Sequence, residues 1–209
     1  MKGMYMLELH AVTDGTKPVN ELIRIILSIS DHVDYVHIRE KNKRPCEIIH
    51  LVEQLLANGI RREQLVINDR LDVALLTGVQ NVHLPGTGLP IKKVKSAFPQ
   101  IKAGVSVHSL DEAVKAEKDG ADYCFFGNVF ETNSKKGLPA KGTDLLGKIV
   151  GHVNIPIIAI GGITPDNMQK VLEKKASGIA VMSYIFSSKD PESAAKLFRK
   201  GEAFSNERF

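Results

Sequence analysis

Eight apolar runs of six to nine residues punctuate this chain, and the stretches between them repeat their apolar positions at helical spacing. The runs span 5–13, 33–40, 64–69, 79–85, 101–108, 122–130, 155–162 and 178–186. Most carry β-branched or aromatic residues and end on Gly, Pro, Asp or Asn, as strands do. Several are apolar without alternation, the pattern of parallel strands covered by helices. Between them, Leu22, Ile23, Ile26 and Leu27 share one helical face after Pro18. Ile48, Ile49, Val52, Leu55 and Leu56 share another, closed by Asn58-Gly59. Ser109-Leu-Asp-Glu112 reads as a capping box. Thr164-Pro165 and Asp190-Pro191 each place a capping residue before a proline suited to the first helical turn.

Eight strand–helix units in 209 residues predict a single-domain (β/α)8 TIM barrel over 1–209, with 199–209 as a frayed tail. A doubly wound open sheet is the alternative, but it calls for a glycine-rich phosphate loop after the first strand, and "HAVTDGTK" has none. Barrel chemistry gathers at the carboxyl ends of strands. The polar residues there are His37, Arg39, Lys41, Asn68, Asp69, His83, Ser106, His108, Asn128, Thr132, Ser134 and Lys135, followed by Gly161, Gly162, Met182 and Ser183.

"IIAIGGITPDN" ends the seventh run, and its Gly161-Gly162 pair faces "VMS" at the end of the eighth. Loops seven and eight of a barrel often seat a phosphate on backbone N–H groups, while a simple tight turn would also use two glycines. In "HIREK", alternation along a strand would put His37, Arg39 and Lys41 on one inward face. Three basic groups there imply an anion, since burying them unpaired is costly. "FETNSKKG" is a polar loop after strand six that fits either a ligand contact or a solvated surface. His108 reads as structural or catalytic, His10 and His83 as core or near-site, and His32, His50 and His152 as surface.

The remaining composition narrows the function. The net charge of +4 comes from scattered basic residues without interleaved aromatics, which disfavours a nucleic-acid surface and suits a small anion. No run approaches the roughly 20 apolar residues of a membrane span, and the start lacks a signal-peptide pattern, so the expected location is cytoplasmic. Cys46 and Cys124 lie far apart with no ligand-spaced partners, so neither a disulfide nor a metal site is expected.

"HIREK", "NDRLDVAL", "VHL", "GVSVHS", "ADYCFFGNVFETNSKKG", "IPIIAIGGI" and "GIAVMS" together resemble the thiamine phosphate synthase superfamily, in order over about residues 7 to 186. "LELHAVTDGTKPV", "VHSLDEAVKAEKDGADY", "VFETNSKKGL" and "AVMSYIFSS" look closest to its TenI type, the thiazole tautomerases. That resemblance implies a TIM barrel, often dimeric, that needs no cofactor, binds a phosphorylated thiazole and aromatises it by proton transfer. Gly161, Gly162, Met182 and Ser183 would then seat the phosphate; Arg39, Lys41, Asn68, Ser106, Thr132, Ser134 and Lys135 would bind substrate. Asn128 stands where the TenI type places a proton-transferring histidine, leaving His108 or His37 to move the proton. The synthases of the superfamily instead hold Mg²⁺ between two aspartates; Asp69 matches one, and Gly88 replaces the other. On these grounds the sequence reading is an isomerase, with a synthase or a non-catalytic phosphate-binding regulator as alternatives.

Overall fold

The computed structural model describes residues 7–132, 137 and 139–206, with side chains as far as Arg199. Eight parallel strands close into a barrel in chain order: β1 (Glu8–Val12), β2 (Tyr35–Ile38), β3 (Leu65–Asn68), β4 (Asn81–Leu84), β5 (Lys102–Val107), β6 (Tyr123–Gly127), β7 (Ile157–Ile160) and β8 (Gly178–Val181). β8 returns to β1 through Glu8 opposite Gly178 and His10 opposite Ala180, which completes the ring. The (β/α)8 expectation is thereby met.

Alternation within each strand sorts the residues. Leu9, Ala11, Val36, Ile38, Cys124, Phe126, Ile157, Ala159 and Ile179 point outward into one core shared with the helices. Their neighbours Val12, Tyr123, Phe125, Ile158 and Ala180 form a second cluster inside the barrel, with Ile160 and Met182 against it. This is the layered interior of a small parallel barrel, filled by side chains from alternate positions. Gly104 is part of that filling: a Cβ there would stand 2.1 Å from the Tyr123 ring, so the small residue on β5 makes room for the large one on β6.

The covering helices are α1 (Val19–Ile29), α2 (Pro45–Ala57), α3 (Leu71–Thr77), α4 (Ile91–Ala97), α5 (Leu110–Lys118), α6 (Gly142–Val150), α7 (Met168–Leu172), α8 (Ser183–Phe186) and α9 (Pro191–Asn206). α1 buries Leu22, Ile26 and Ile29, and α2 buries Ile48, Leu51, Val52 and Leu55. At the start of α5, Ser109 Oγ accepts from the Glu112 N–H. The Glu112 carboxylate reaches back one residue further than a capping box requires, accepting from the His108 N–H. Asp190 caps α9 by accepting from the Ser193 N–H.

Two boundaries differ from the sequence expectation. The eighth apolar run is two elements, because after β8 the apolar "YIF" continues as α8 and buries Ile185 and Phe186. α7 starts at Met168 rather than after Thr164, since the Asn167 side chain donates to the Gly162 carbonyl and accepts from the Thr164 N–H. That bracket holds 162–167 as a turn.

Candidate functional site

The carboxyl ends of the strands bring most of the expected residues to one mouth. His37, on β2, is fully buried and points into the barrel, with its ring against Phe125 and His83 at centroid distances of 4.7 and 5.6 Å. Burial, then the neighbouring His10 and His83, hold its pKa well below the ordinary imidazole value. Its Nδ1 lies 3.2 Å from Asn68 Oδ1 at the end of β3. His83, on β4, is also buried, with its pKa pushed down to about 3 by desolvation first and His10 second. His83 Nε2 lies 2.8 Å from Ser106 Oγ on β5, and its Nδ1 lies 3.3 Å from the Tyr123 hydroxyl.

β2 ends at Ile38, so strand alternation does not carry through "HIREK". Arg39 is half-buried, its N–H donating to Thr13 Oγ1, while Lys41 is exposed in the following turn. The inward triple of basic groups is corrected to His37 alone, with Arg39 at the rim and Lys41 outside it. The buried charge of that motif is Glu40, whose side chain is fully covered and lies 2.7 Å from Lys43 Nζ. Thr13, fully buried just past β1, is a mouth residue that the sequence reading passed over. Its signal was available: a polar residue at the carboxyl end of an apolar run.

His108 follows β5, and its Nδ1 lies 2.6 Å from the Gly127 carbonyl. That carbonyl can only accept, so Nδ1 carries a hydrogen. Asn128, only 3% exposed, follows a cis peptide after Gly127 and donates from Nδ2 to the Phe130 carbonyl. Thr132 is half-buried beyond it; Ser134 and Lys135 lie outside the described residues.

Gly161 and Gly162 both have positive φ, at 103° and 67°. A Cβ on Gly161 would stand 2.6 Å from Asn128 Cβ, and one on Gly162 would stand 2.2 Å from the Glu131 carbonyl oxygen. The pair therefore lets the β6–α6 loop lie directly on the β7–α7 turn, tied by the Phe130 N–H to the Gly161 carbonyl. Met182 is half-buried and Ser183 exposed at the start of α8, across from the glycines.

Asp69 sits just past β3 with φ +62°, its N–H donating to the His83 carbonyl. Gly88 lies beside it: a Cβ there would be 3.0 Å from Asp69 Oδ1. The two positions are thus neighbours in space, and the second carboxylate of the superfamily's metal pair is missing from the place where it would act. Among the described residues, no group of three or more His, Cys, Asp or Glu side chains could hold a metal ion. The donors present do not fit a two-carboxylate Mg²⁺ site. The same glycine opens a shallow groove of about 610 Å³, walled by Leu71, Leu75, Leu89 and Phe98 with Asp69 at its edge.

With this geometry in view, the comparisons with known proteins become informative. A family model described as thiamine monophosphate synthase matches residues 9–185. The thiamine-phosphate synthase of Pyrococcus furiosus is 37% identical over 198 residues, covering 93% of this chain and 94% of that protein. The one from Chlorobium luteolum is 36% identical over 189 residues, covering 88% of each. A solved structure described as thiamine phosphate pyrophosphorylase from Pyrococcus furiosus superposes with a TM-score of 0.82 at 34% identity, covering 95% of this chain and 96% of that one. A 3-hexulose-6-phosphate synthase structure, at 16% identity and a TM-score of 0.74, shares the fold. The chain belongs to the thiamine monophosphate synthase family.

The isomerase expectation is overturned at this point. Relatives from 34 to 45% identical are named thiamine-phosphate synthases, which are transferases. The sequence reading set one altered metal-binding position, Gly88, against a likeness that extends over nearly the whole chain. Among the described residues, no helix is long and apolar enough to cross a membrane.

Proposed function

We propose that this chain acts as a thiamine-phosphate synthase, joining thiazole phosphate to hydroxymethylpyrimidine diphosphate. The observation that carries the reading is its similarity along 93% of its length to a thiamine-phosphate synthase. In the reaction the thiazole nitrogen forms a bond to the pyrimidine methylene carbon. The bond from that carbon to the pyrophosphate oxygen breaks, and pyrophosphate leaves with the electron pair. No group is oxidised or reduced.

The residues divide the work by position. The Gly161-Gly162 turn and the Met182-Ser183 corner take the thiazole phosphate. The Gly162 N–H forms no hydrogen bond within the described residues, and Ser183 opens a helix whose first N–H groups have no partner in their own turn. His37, Asn68 and Ser106 line the floor beneath the rings, with His108 against the Gly127 carbonyl and Asn128 beside the β6–α6 loop. Arg39 and Lys41, with Thr132, Ser134 and Lys135 from that loop, take the departing pyrophosphate. With one carboxylate at the metal position, neutralising the leaving group falls to these cations. The reading includes a homodimer in the cytoplasm, checked by a light-scattering mass twice that of the chain.

Pyrophosphate release from the two substrates tests the proposal. A second reading, a thiazole-phosphate-binding regulator, is favoured by Gly88 at the metal position. It expects tight thiazole phosphate binding with no pyrophosphate released.

A further inference from the structure

A line of hydrogen-bonded groups crosses the barrel interior from its amino end to its mouth. Glu8, at the start of β1, opens on a cleft of about 600 Å³ at the amino end, and its side chain is 41% exposed. Its Oε2 lies 3.2 Å from His10 Nε2. His10 Nδ1 lies 3.0 Å from His37 Nε2, and His37 Nδ1 lies 3.2 Å from Asn68 Oδ1. His10 and His37 are 3% and 0% exposed, and burial holds both below the ordinary imidazole pKa, so both are neutral near pH 7.

A neutral imidazole has one donor nitrogen and one acceptor nitrogen, while a carboxylate only accepts. Glu8 therefore obliges His10 Nε2 to carry the hydrogen, which leaves His10 Nδ1 bare. His37 must then donate from Nε2, and its Nδ1 is bare in turn. A bare Nδ1 against Asn68 Oδ1 would leave two acceptors together, so the amide turns over by a half-turn and presents Nδ2. The parallel line from Tyr123 through His83 to Ser106 has a hydroxyl at each end. Hydroxyls donate or accept equally well, so nothing polarises that line.

We propose that Glu8 is a positioning residue: through His10 and His37 it turns the Asn68 amide so that its carbonyl, not its NH₂, faces the ligand. The mouth then offers an acceptor at Asn68, suited to an amino or ring N–H group of a ligand rather than to a phosphate oxygen. The assignment holds whether the chain turns its ligand over or only binds it.

Long-range ¹H–¹⁵N correlation on the ¹⁵N-labelled chain near pH 7.5 separates bare from hydrogen-bearing ring nitrogens. His10 and His37 should each show one tautomer, hydrogen on Nε2 and Nδ1 bare. Glu8→Lys replaces the acceptor by a donor and should switch both to the Nδ1–H form, with His83 unchanged. A His37 with its hydrogen on Nδ1 in the native chain overturns the proposal, even if the variant does not fold. So does a Glu8→Lys protein that retains the native tautomers.

Discussion

Replacing Gly162 with alanine separates the two uses of the glycine pair. At φ +67° an alanine pays about 1–2 kcal/mol for the left-handed backbone. Its Cβ would also stand 2.2 Å from the Glu131 carbonyl oxygen and 2.9 Å from Phe130 Cβ, where the first obstacle is backbone. Forcing that contact apart adds about 1–3 kcal/mol by the usual cost of overpacking. The sum, about 2–5 kcal/mol, lowers the melting temperature by roughly 4–20 °C in a chain of this size. Gly59→Ala supplies the control, because Gly59 has φ +93° and nothing within 4 Å of its would-be Cβ. It should carry the backbone strain alone and fall by roughly 2–8 °C. Thermal unfolding followed by circular dichroism, without ligand, reads both. A Gly162→Ala protein that melts with Gly59→Ala would refute the loop contact as the reason for glycine at 162.

Further expectations concern charge and reactivity. His10, His37 and His83 are neutral in the fold, with pKa values held below 6.5 and that of His83 at about 3. The unfolded chain therefore binds more protons below pH 6.5, and stability falls as pH drops through that value, by up to about 1.4 kcal/mol per unit for each histidine. Urea midpoints from pH 8 to pH 5 should decline; a flat profile would contradict the neutral cluster. Cys46 is exposed, whereas Cys124 is buried with its thiol pushed up to about 12, so a thiol reagent should titrate one cysteine in the native chain and two after unfolding. Gly88→Asp restores a carboxylate beside Asp69 at the expense of crowding Pro85, whose ring would lie 2.8 Å from the new Cβ. Pyrophosphate release by that variant should gain a dependence on Mg²⁺ stronger than the native chain's. Equal dependence in both would mean that position 88 does not touch the metal.

The barrel was legible because each strand carries its own evidence: β7, "IIAI", is a short unbroken apolar run rich in β-branched residues, the pattern of a doubly covered parallel strand. The mouth was legible by position for His37, Asn68, Ser106 and the glycine pair, all at strand ends. Lys41 was misplaced because alternation was extended past Ile38, where the strand and its period stop together. The histidine line was harder to see. His10 and His83 are polar residues at the inward positions of apolar strands, and single polar residues there look like isolated exceptions until β1 and β4 curve toward the same axis. The glycine pair was read through an absent phosphate, whereas the atoms that crowd it belong to the β6–α6 loop, more than 30 positions earlier in the chain. Sequence spacing holds no trace of that approach.

Whether this barrel makes a carbon–nitrogen bond is settled most directly by mixing the purified chain with hydroxymethylpyrimidine diphosphate and thiazole phosphate and following pyrophosphate. A synthase releases pyrophosphate and thiamine phosphate in equal amounts, and neither substrate alone gives any. No release, from a protein that nonetheless binds thiazole phosphate, would contradict the synthase reading and leave the regulator in its place.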